Sequence, residues 1–228
     1  MPLIARVSNS SDKTLKWKIA QKLERWWWQK YLRNQTPEEY KTWKTAYWNK
    51  FFGIVADEIQ LSESDSIADI GCGPAGIFSI FRKQAVTAVD PLLDSYQGDL
   101  SVFNKSDYPN VTFVNSAIED FESPDRFQLV CCLNAINHVS DLQLGFSKLA
   151  EITVENGYCL LSIDAHNQQF LKHLFRAIPG DALHPHQYDL KEYQQLFEKS
   201  GFSLIKTELY KKHPIFNYYL MLGKKITA

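Results

Sequence analysis

The stretch DIGCGPAG, residues 69–76, places Gly71, Gly73 and Gly76 at the spacing G-x-G-x-x-G. Glycine permits positive φ and close approach of backbone to a ligand, and a helix start beyond such a loop favours negative charge. The spacing by itself fits a nicotinamide or flavin dinucleotide, another nucleotide, or a plain tight turn. Two acids narrow the choice. Asp69 stands two residues before the first glycine, at the end of a short apolar run. A carboxylate there repels a pyrophosphate and suits a ligand with a cationic amino-acid end. Asp90 closes the next apolar run, AVTAVDP at 85–91, where it can accept hydrogen bonds from both ribose hydroxyls. A turn role for Asp90 before Pro91 is the plain alternative.

Two further regions carry reactive side chains. Asn134, Ala135, Ile136, Asn137 and His138 follow the apolar run FQLVCCL. His138 has a suitable ordinary pKa for a general base toward a hydroxyl, and bracing of the loop is its plainer role. The stretch 164–189 is long for a connector and is expected to shape a substrate pocket. It holds His166, Lys172, His173, Arg176, His184, His186 and Tyr188. His184 and His186 look like a metal pair, but no third ligand follows at useful spacing, so no metal is expected. Contact with substrate, or service as a base, is the better functional reading of the two histidines; ordinary surface-loop residues are the plain one.

These residues need elements to position them. Apolar spacing predicts a helix over 13–33, and Thr36-Pro37-Glu38-Glu39 is a strong start for a second that runs to about Ile59. Short apolar runs predict strands at Ser66–Ile70, Ala85–Val89, Val111–Asn115, Phe127–Leu133 and Tyr158–Ile163, with two last strands at Leu204–Tyr210 and Ile215–Leu222. Helices are expected near Ala75–Arg82, Leu142–Ile152 and Leu190–Lys199. Alternating apolar strands and helices imply an α/β, doubly wound, mostly parallel sheet, and the short final connection implies an antiparallel last strand. The domain division expected is an N-terminal helical cap at 1–60 and a nucleotide-binding domain at 61–228.

Composition limits the classes. The 228 residues are 45% hydrophobic and 22% charged, with a formal net charge of −1, so nothing global points to nucleic acid. No apolar run approaches the ~20 residues of a membrane span, and the first residues lack the apolar core of a signal peptide. Four cysteines without a C-x-x-C read as buried free thiols in a cytoplasmic protein. Cys131 and Cys132 are expected on opposite faces of one strand. All six tryptophans lie in the first 48 residues, beside an excess of basic residues. Trp26, Trp27 and Trp28 cannot share one helix face. Packing on the sheet edge, a lid over the site, peripheral membrane contact and a homodimer contact all remain open for this segment, and the chain is expected to be a monomer or homodimer.

With these pieces in order, the chain resembles the class I S-adenosylmethionine-dependent methyltransferases. The matching segments are SIADIGCGPAG at 66–76, AVTAVDP at 85–91, VTFVNSAIEDF at 111–121 and FQLVCCLNAINHVSD at 127–141, and the likeness covers about residues 36–226. It implies a Rossmann-like sheet of seven strands and S-adenosylmethionine as cofactor. Asp69, Gly71, Cys72 and Gly73 would then lie against the methionine end, Asp90 and Pro91 at the ribose, and Ser116, Ala117 and Ile118 beside the adenine, with Asn134 at the border. Many members carry an acid where Ser116 stands; a hydroxyl or backbone group would have to replace that contact. The Asn/Asp-Pro-Pro-Tyr motif of amino-group methyltransferases is absent after Leu133, which disfavours DNA and protein-amide methylation.

The expected reaction is methyl transfer to a small molecule, with a hydroxyl on a hydrophobic or aromatic compound preferred over nitrogen, sulfur or carbon. His138, His184 and His186 are the candidate bases. Trp43, Tyr47, Asn137, Arg176 and Tyr188 are the expected acceptor contacts. A non-catalytic cofactor-binding protein of the same fold is the competing reading.

Overall fold

The computed structural model describes residues 22, 26, 28–32, 35–167 and 188–226. Helix α1 (Pro37–Gly53) starts where its cap chemistry requires. The Thr36 hydroxyl oxygen accepts from Glu39 N–H at 3.4 Å, and Pro37 occupies the first turn, where its missing N–H costs nothing. The helix stops at Gly53, a poor helix former, and the expected run to Ile59 is completed instead by a 3-10 turn, Ala56–Glu58. Residues 28–32 are helical, as are 22 and 26; the remainder of the helix expected at 13–33 lies outside the described residues.

Seven strands form one sheet: β1 (Ser66–Ile70), β2 (Ala85–Val89), β3 (Val111–Val114), β4 (Phe127–Leu133), β5 (Thr153–His166), β6 (Phe202–Lys211) and β7 (Phe216–Lys225). Their order is β3-β2-β1-β4-β5-β7-β6, and β7 alone runs antiparallel to its neighbours. Three more helices cover it: α2 (Leu93–Asp99), α3 (Leu142–Ile152) and α4 (Leu190–Lys199). The Asp141 carboxylate caps α3 on Leu144 N–H at 3.0 Å, and Asp189 with Glu192 forms a reciprocal capping box on α4.

Strand alternation sorts the core into two layers. Ile67, Cys131, Leu160 and Leu222 pack with Tyr40, Trp48 and Phe51 of α1. Ala68, Val130, Cys132, Leu161 and Met221 pack on the opposite face with Phe146 of α3 and Phe197 of α4. Cys131 and Cys132 thus part to opposite faces as expected, and all four cysteines are free and buried. Among the described residues, no helix is long and apolar enough to cross a membrane.

Three elements differ from expectation. The helix expected near Ala75–Arg82 is two 3-10 turns, Gly73–Ala75 and Ile77–Ile80. Gly76 between them is extended (φ −74°, ψ 178°), and the Asp69 carboxylate accepts from the Phe78 N–H beyond it. Strand β5 extends well beyond 158–163, accommodating Asn156 at φ 61° and a register shift against β4. Helix α2 is an addition that its short, Gly-containing sequence did not announce.

Helix α4 is seated on β7 through the absence of a side chain. A Cβ on Gly223 would lie 2.4 Å from Phe197 Cε1, and Phe197 is itself fully buried and stacked on Phe202. Gly223→Ala should therefore destabilise the fold by ~1–3 kcal/mol through overpacking. Chemical denaturation checks this; a midpoint equal to that of the parent would contradict the packing.

Candidate functional site

The strand order reverses direction between β1 and β4, which opens a crevice at their carboxyl ends. The loop after β1 enters that crevice in a left-handed conformation, with Gly71 at φ 65° and Gly73 at φ 57°. Gly71 N–H and Cys72 N–H both donate to Val89 O, at 2.7 and 3.1 Å, which ties the loop to the end of β2. A Cβ on Gly71 would lie 2.2 Å from Ala135 Cβ, so the loop after β1 and the loop after β4 touch at a point that only glycine allows. From above, Trp48 Nε1–H donates to Ala75 O at 2.8 Å, and Trp28 Cζ2 stands 3.8 Å from where a Gly73 Cβ would be. Trp28 also meets the Tyr96 ring edge-on, while Trp26 is 57% exposed. Trp27 lies outside the described residues.

Asp90 and Asp69 divide the electrostatic work. Asp90 Oδ2 accepts from Gly73 N–H at 3.0 Å and Oδ1 from Leu92 N–H at 2.8 Å. A carboxylate offers about four acceptor positions, so capacity for ligand hydroxyls remains. Pro91, half-buried, fixes the turn that brings Leu92 N–H back onto Asp90. Asp69 is buried, and its Oδ2 accepts from Phe78 N–H at 3.0 Å, 2.3 Å from where a Gly76 Cβ would be. Burial pushes its carboxyl up to about 7, the negative charge of Asp90 adds to the rise, and the Phe78 and Ile77 N–H groups oppose it. The Cys72 thiol is likewise pushed up by burial and by both carboxylates.

Further along, Ser116 Oγ donates to Ala117 O at 2.9 Å, Ile118 is buried, and Asn115 Oδ1 accepts from Asp94 N–H at 3.2 Å near the start of α2. Asn134 takes the left-handed conformation (φ 55°) just beyond β4. Its N–H donates to Ser162 Oγ at 2.7 Å, and Ser162 Oγ donates to Asn134 Oδ1 at 2.9 Å. This reciprocal pair locks the β4 loop to β5 across 28 residues of sequence, and Ser162 had no motif to mark it.

Beside Asn134 lies a cavity of about 320 Å³. Tyr47 and Phe51 of α1 form one wall and Ser162 and Asp164 of β5 another. Tyr210 and Lys211 of β6, with Tyr218 and Tyr219 of β7, close the far side. The register of β6 slips between Leu209 and Lys211, leaving Tyr210 as an extra residue, so that two consecutive side chains reach the cavity. Lys44, one turn before Tyr47 and Trp48, holds its ammonium 5.2 Å from the centroid of each of those two rings, and burial pushes it down to about 8.

Of the expected acceptor contacts, Tyr47 lines this cavity. Trp43 stacks on Tyr47 but is 49% exposed and does not line it. Asn137 is buried with its Oδ1 unpaired, and His138 is exposed on the 3-10 turn Ile136–His138, outside the cavity wall. Tyr188 packs on Tyr193 beneath the sheet edge. Arg176, His184 and His186 lie outside the described residues. The tyrosines of β6 and β7 were missed because nothing in the sequence reveals that the last hairpin folds against α1.

The Asp69 carboxyl couples this loop to pH. Its folded pKa, about 7, lies above the ordinary 3.8, so the folded chain keeps a proton that the unfolded chain releases. The Asp69 contribution to stability is therefore full below about pH 4 and declines as pH rises through 7. Asp69→Asn should remove that slope and gain ~1–3 kcal/mol relative to the parent between pH 4 and pH 8. Thermal unfolding of the two proteins across that range checks it; parallel curves would refute the buried-carboxyl assignment.

Comparison with known proteins agrees with this geometry. Residues 32–207 match the family described as a methyltransferase domain. A Rickettsia typhi protein named ubiquinone biosynthesis O-methyltransferase is 26% identical over 222 residues, covering 80% of this chain and 89% of that one. A protein of the same name from Rickettsia akari is 30% identical over 98 residues, 42% of this chain and 39% of that one. In fold, the chain is similar to the Burkholderia thailandensis 1,6-didemethyltoxoflavin-N1-methyltransferase, with a TM-score of 0.65 at 13% identity over 99% of this chain and 94% of the other. The matched domain, the seven-stranded topology and the glycine loop between two acids together make this chain a member of the methyltransferase-domain family, a class I S-adenosylmethionine-dependent enzyme.

Proposed function

We propose that this enzyme transfers a methyl group to a hydroxyl of a small hydrophobic or aromatic compound. The observation that carries the reading is the tyrosine-walled cavity, which opens beside Asn134 and so adjoins the loop that Gly71 and Ala135 bring together. Rings of this kind bind flat apolar bodies while their phenols meet polar edges. The name of the Rickettsia typhi relative, ubiquinone biosynthesis O-methyltransferase, supports oxygen as the acceptor atom.

The residues on the first strands fit the cofactor. Asp90 would accept from the ribose hydroxyls, with Gly71, Cys72 and Gly73 along the amino-acid end. Ser116, Ala117 and Ile118 would flank the adenine, and Asn134 would separate cofactor from acceptor. The two 3-10 turns after the loop lack the aligned dipole of a long helix, and with Asp69 nearby they suit a cationic ligand better than a pyrophosphate. Asp69 would act through the loop, by holding Phe78 N–H, rather than by direct contact. The cofactor, when bound, supplies a methyl group already activated on a sulfonium. The chain's own work is then to align the acceptor oxygen, exclude water under Trp28 and Trp48, and take up the hydroxyl proton.

Asp90→Ala should weaken S-adenosylmethionine binding by ~1–3 kcal/mol through lost ribose hydrogen bonds. Isothermal calorimetry measures this directly, and an unchanged affinity would remove Asp90 from the cofactor site. The acceptor class is tested by incubating the protein and S-adenosylmethionine with 4-nitrocatechol, 4-nitroaniline or 4-nitrothiophenol. S-adenosylhomocysteine should form with the catechol; formation with the amine or thiol alone would overturn the hydroxyl reading.

A further inference from the structure

Proton uptake needs a residue, and His138, the one described residue of the three histidines considered from sequence, does not line the cavity. Among the described residues, the cavity wall contains one carboxylate, that of Asp164. Strand alternation explains its placement. Ile163 and Ala165 point into the α3–α4 layer and are 1% and 0% exposed, whereas Ser162 and Asp164 face the cavity under α1. Asp164 is paired in register with Tyr218 of β7, and Tyr218 with Lys211 of β6. A carboxylate, a phenol and an ammonium therefore form a row across three strands, with Lys211 Nζ 5.4 Å from the Tyr218 ring centroid. Two residues before Asp164, Ser162 is bonded to Asn134 at the border with the loop after β1. The row and the Ser162–Asn134 pair thus line the same cavity. Burial and the Asp164 charge both push the Tyr218 phenol up, which keeps it protonated as a hydrogen-bond donor. The buried thiols of Cys132 and Cys159 are pushed up as well and play no part as bases.

We propose that Asp164 is the catalytic residue that receives the proton of the acceptor hydroxyl, with Tyr218 and Lys211 orienting the acceptor from the same row. This rests on the hydroxyl reading above. The acceptor O–H bond breaks, and its proton passes to a carboxylate oxygen of Asp164. The oxygen's electron pair forms the new bond to the methyl carbon, and the pair of the broken carbon–sulfur bond stays on sulfur. Asp164 then releases the proton to water at the cavity mouth, which restores the carboxylate.

The test compares Asp164→Asn and Asp164→Glu with the parent, using catechol, whose hydroxyls stay protonated at neutral pH, and its dimethyl ether, veratrole, in the presence of S-adenosylhomocysteine. The ether has the same ring but no O–H to donate. Asp164→Asn should bind the catechol at least tenfold more weakly while holding the ether and S-adenosylhomocysteine within twofold, and its turnover of the catechol should fall tenfold or more. Asp164→Glu should recover part of both losses. Should the amide variant fail to fold, Asp164→Ser is read in the same way. Equal weakening of catechol and ether, unchanged catechol binding, or turnover reduced less than tenfold would overturn the assignment of Asp164 alone. A parent protein that neither binds nor methylates the catechol would overturn the hydroxyl reading, and this inference with it.

Discussion

The point on which this molecule turns is the contact between the loop after β1 and the loop after β4. A Cβ on Gly71 would overlap that of Ala135, so the two loops can meet only because position 71 carries no side chain and takes a positive φ. That approach fixes the rest. It holds Gly71 and Cys72 N–H on Val89 O and brings Gly73 N–H within reach of Asp90. It also sets Asn134 at the head of the cavity, where Ser162 secures it. The nucleotide half and the acceptor half of the site are therefore positioned by one steric constraint between two backbones.

The second constraint is charge. Two buried carboxylates sit near one loop, and backbone N–H groups donate to each, from Gly73 and Leu92 to Asp90 and from Phe78 to Asp69. Such an arrangement costs stability in the free protein, and a cationic ligand recovers part of that cost on binding. The same electrostatics disfavour a pyrophosphate, and the short 3-10 turns that replace the expected helix offer little dipole in compensation. Glycine spacing that would be ambiguous alone becomes selective through what surrounds it.

Much of this was legible in the sequence because it is local. The apolar runs β1 and β4 are buried on both faces, so their composition marks them without help from partners. Thr36-Pro37-Glu38-Glu39 announces its helix through a cap that spans three residues. Asp90 follows its strand directly, so its position needed no tertiary knowledge. The misread elements are those decided at a distance. The helix expected at Ala75–Arg82 is broken into two 3-10 turns around extended Gly76, against which the side chain of Asp69, nine residues before Phe78, is packed. The acceptor wall was hidden for the same reason. Tyr210, Tyr218 and Asp164 share no motif, and only the β5–β7–β6 pairing and the slip at Tyr210 bring them together.

That difference in legibility follows from the chemistry. The methyl donor is common to the whole fold and imposes a fixed set of contacts on the first strands, close in sequence and narrow in residue type. A sulfonium carries its own activation, so the acceptor half has to supply only alignment, a dry wall and a proton acceptor. Many residue sets meet those requirements, and they can be drawn from wherever the chain passes the crevice. The cavity beside Asn134 is lined from α1, β5 and the final hairpin, segments that place more than a hundred residues of sequence between Tyr47 and Asp164. Histidine near the end of β4 is the residue type that sequence reasoning favours for a base, yet the cavity presents a carboxylate from the neighbouring strand, held in a row with a phenol and an ammonium. The carboxylate in this cavity is thus a product of strand register: a one-residue shift of β5 against β7 would turn Asp164 into the α3–α4 core and leave the described wall without it.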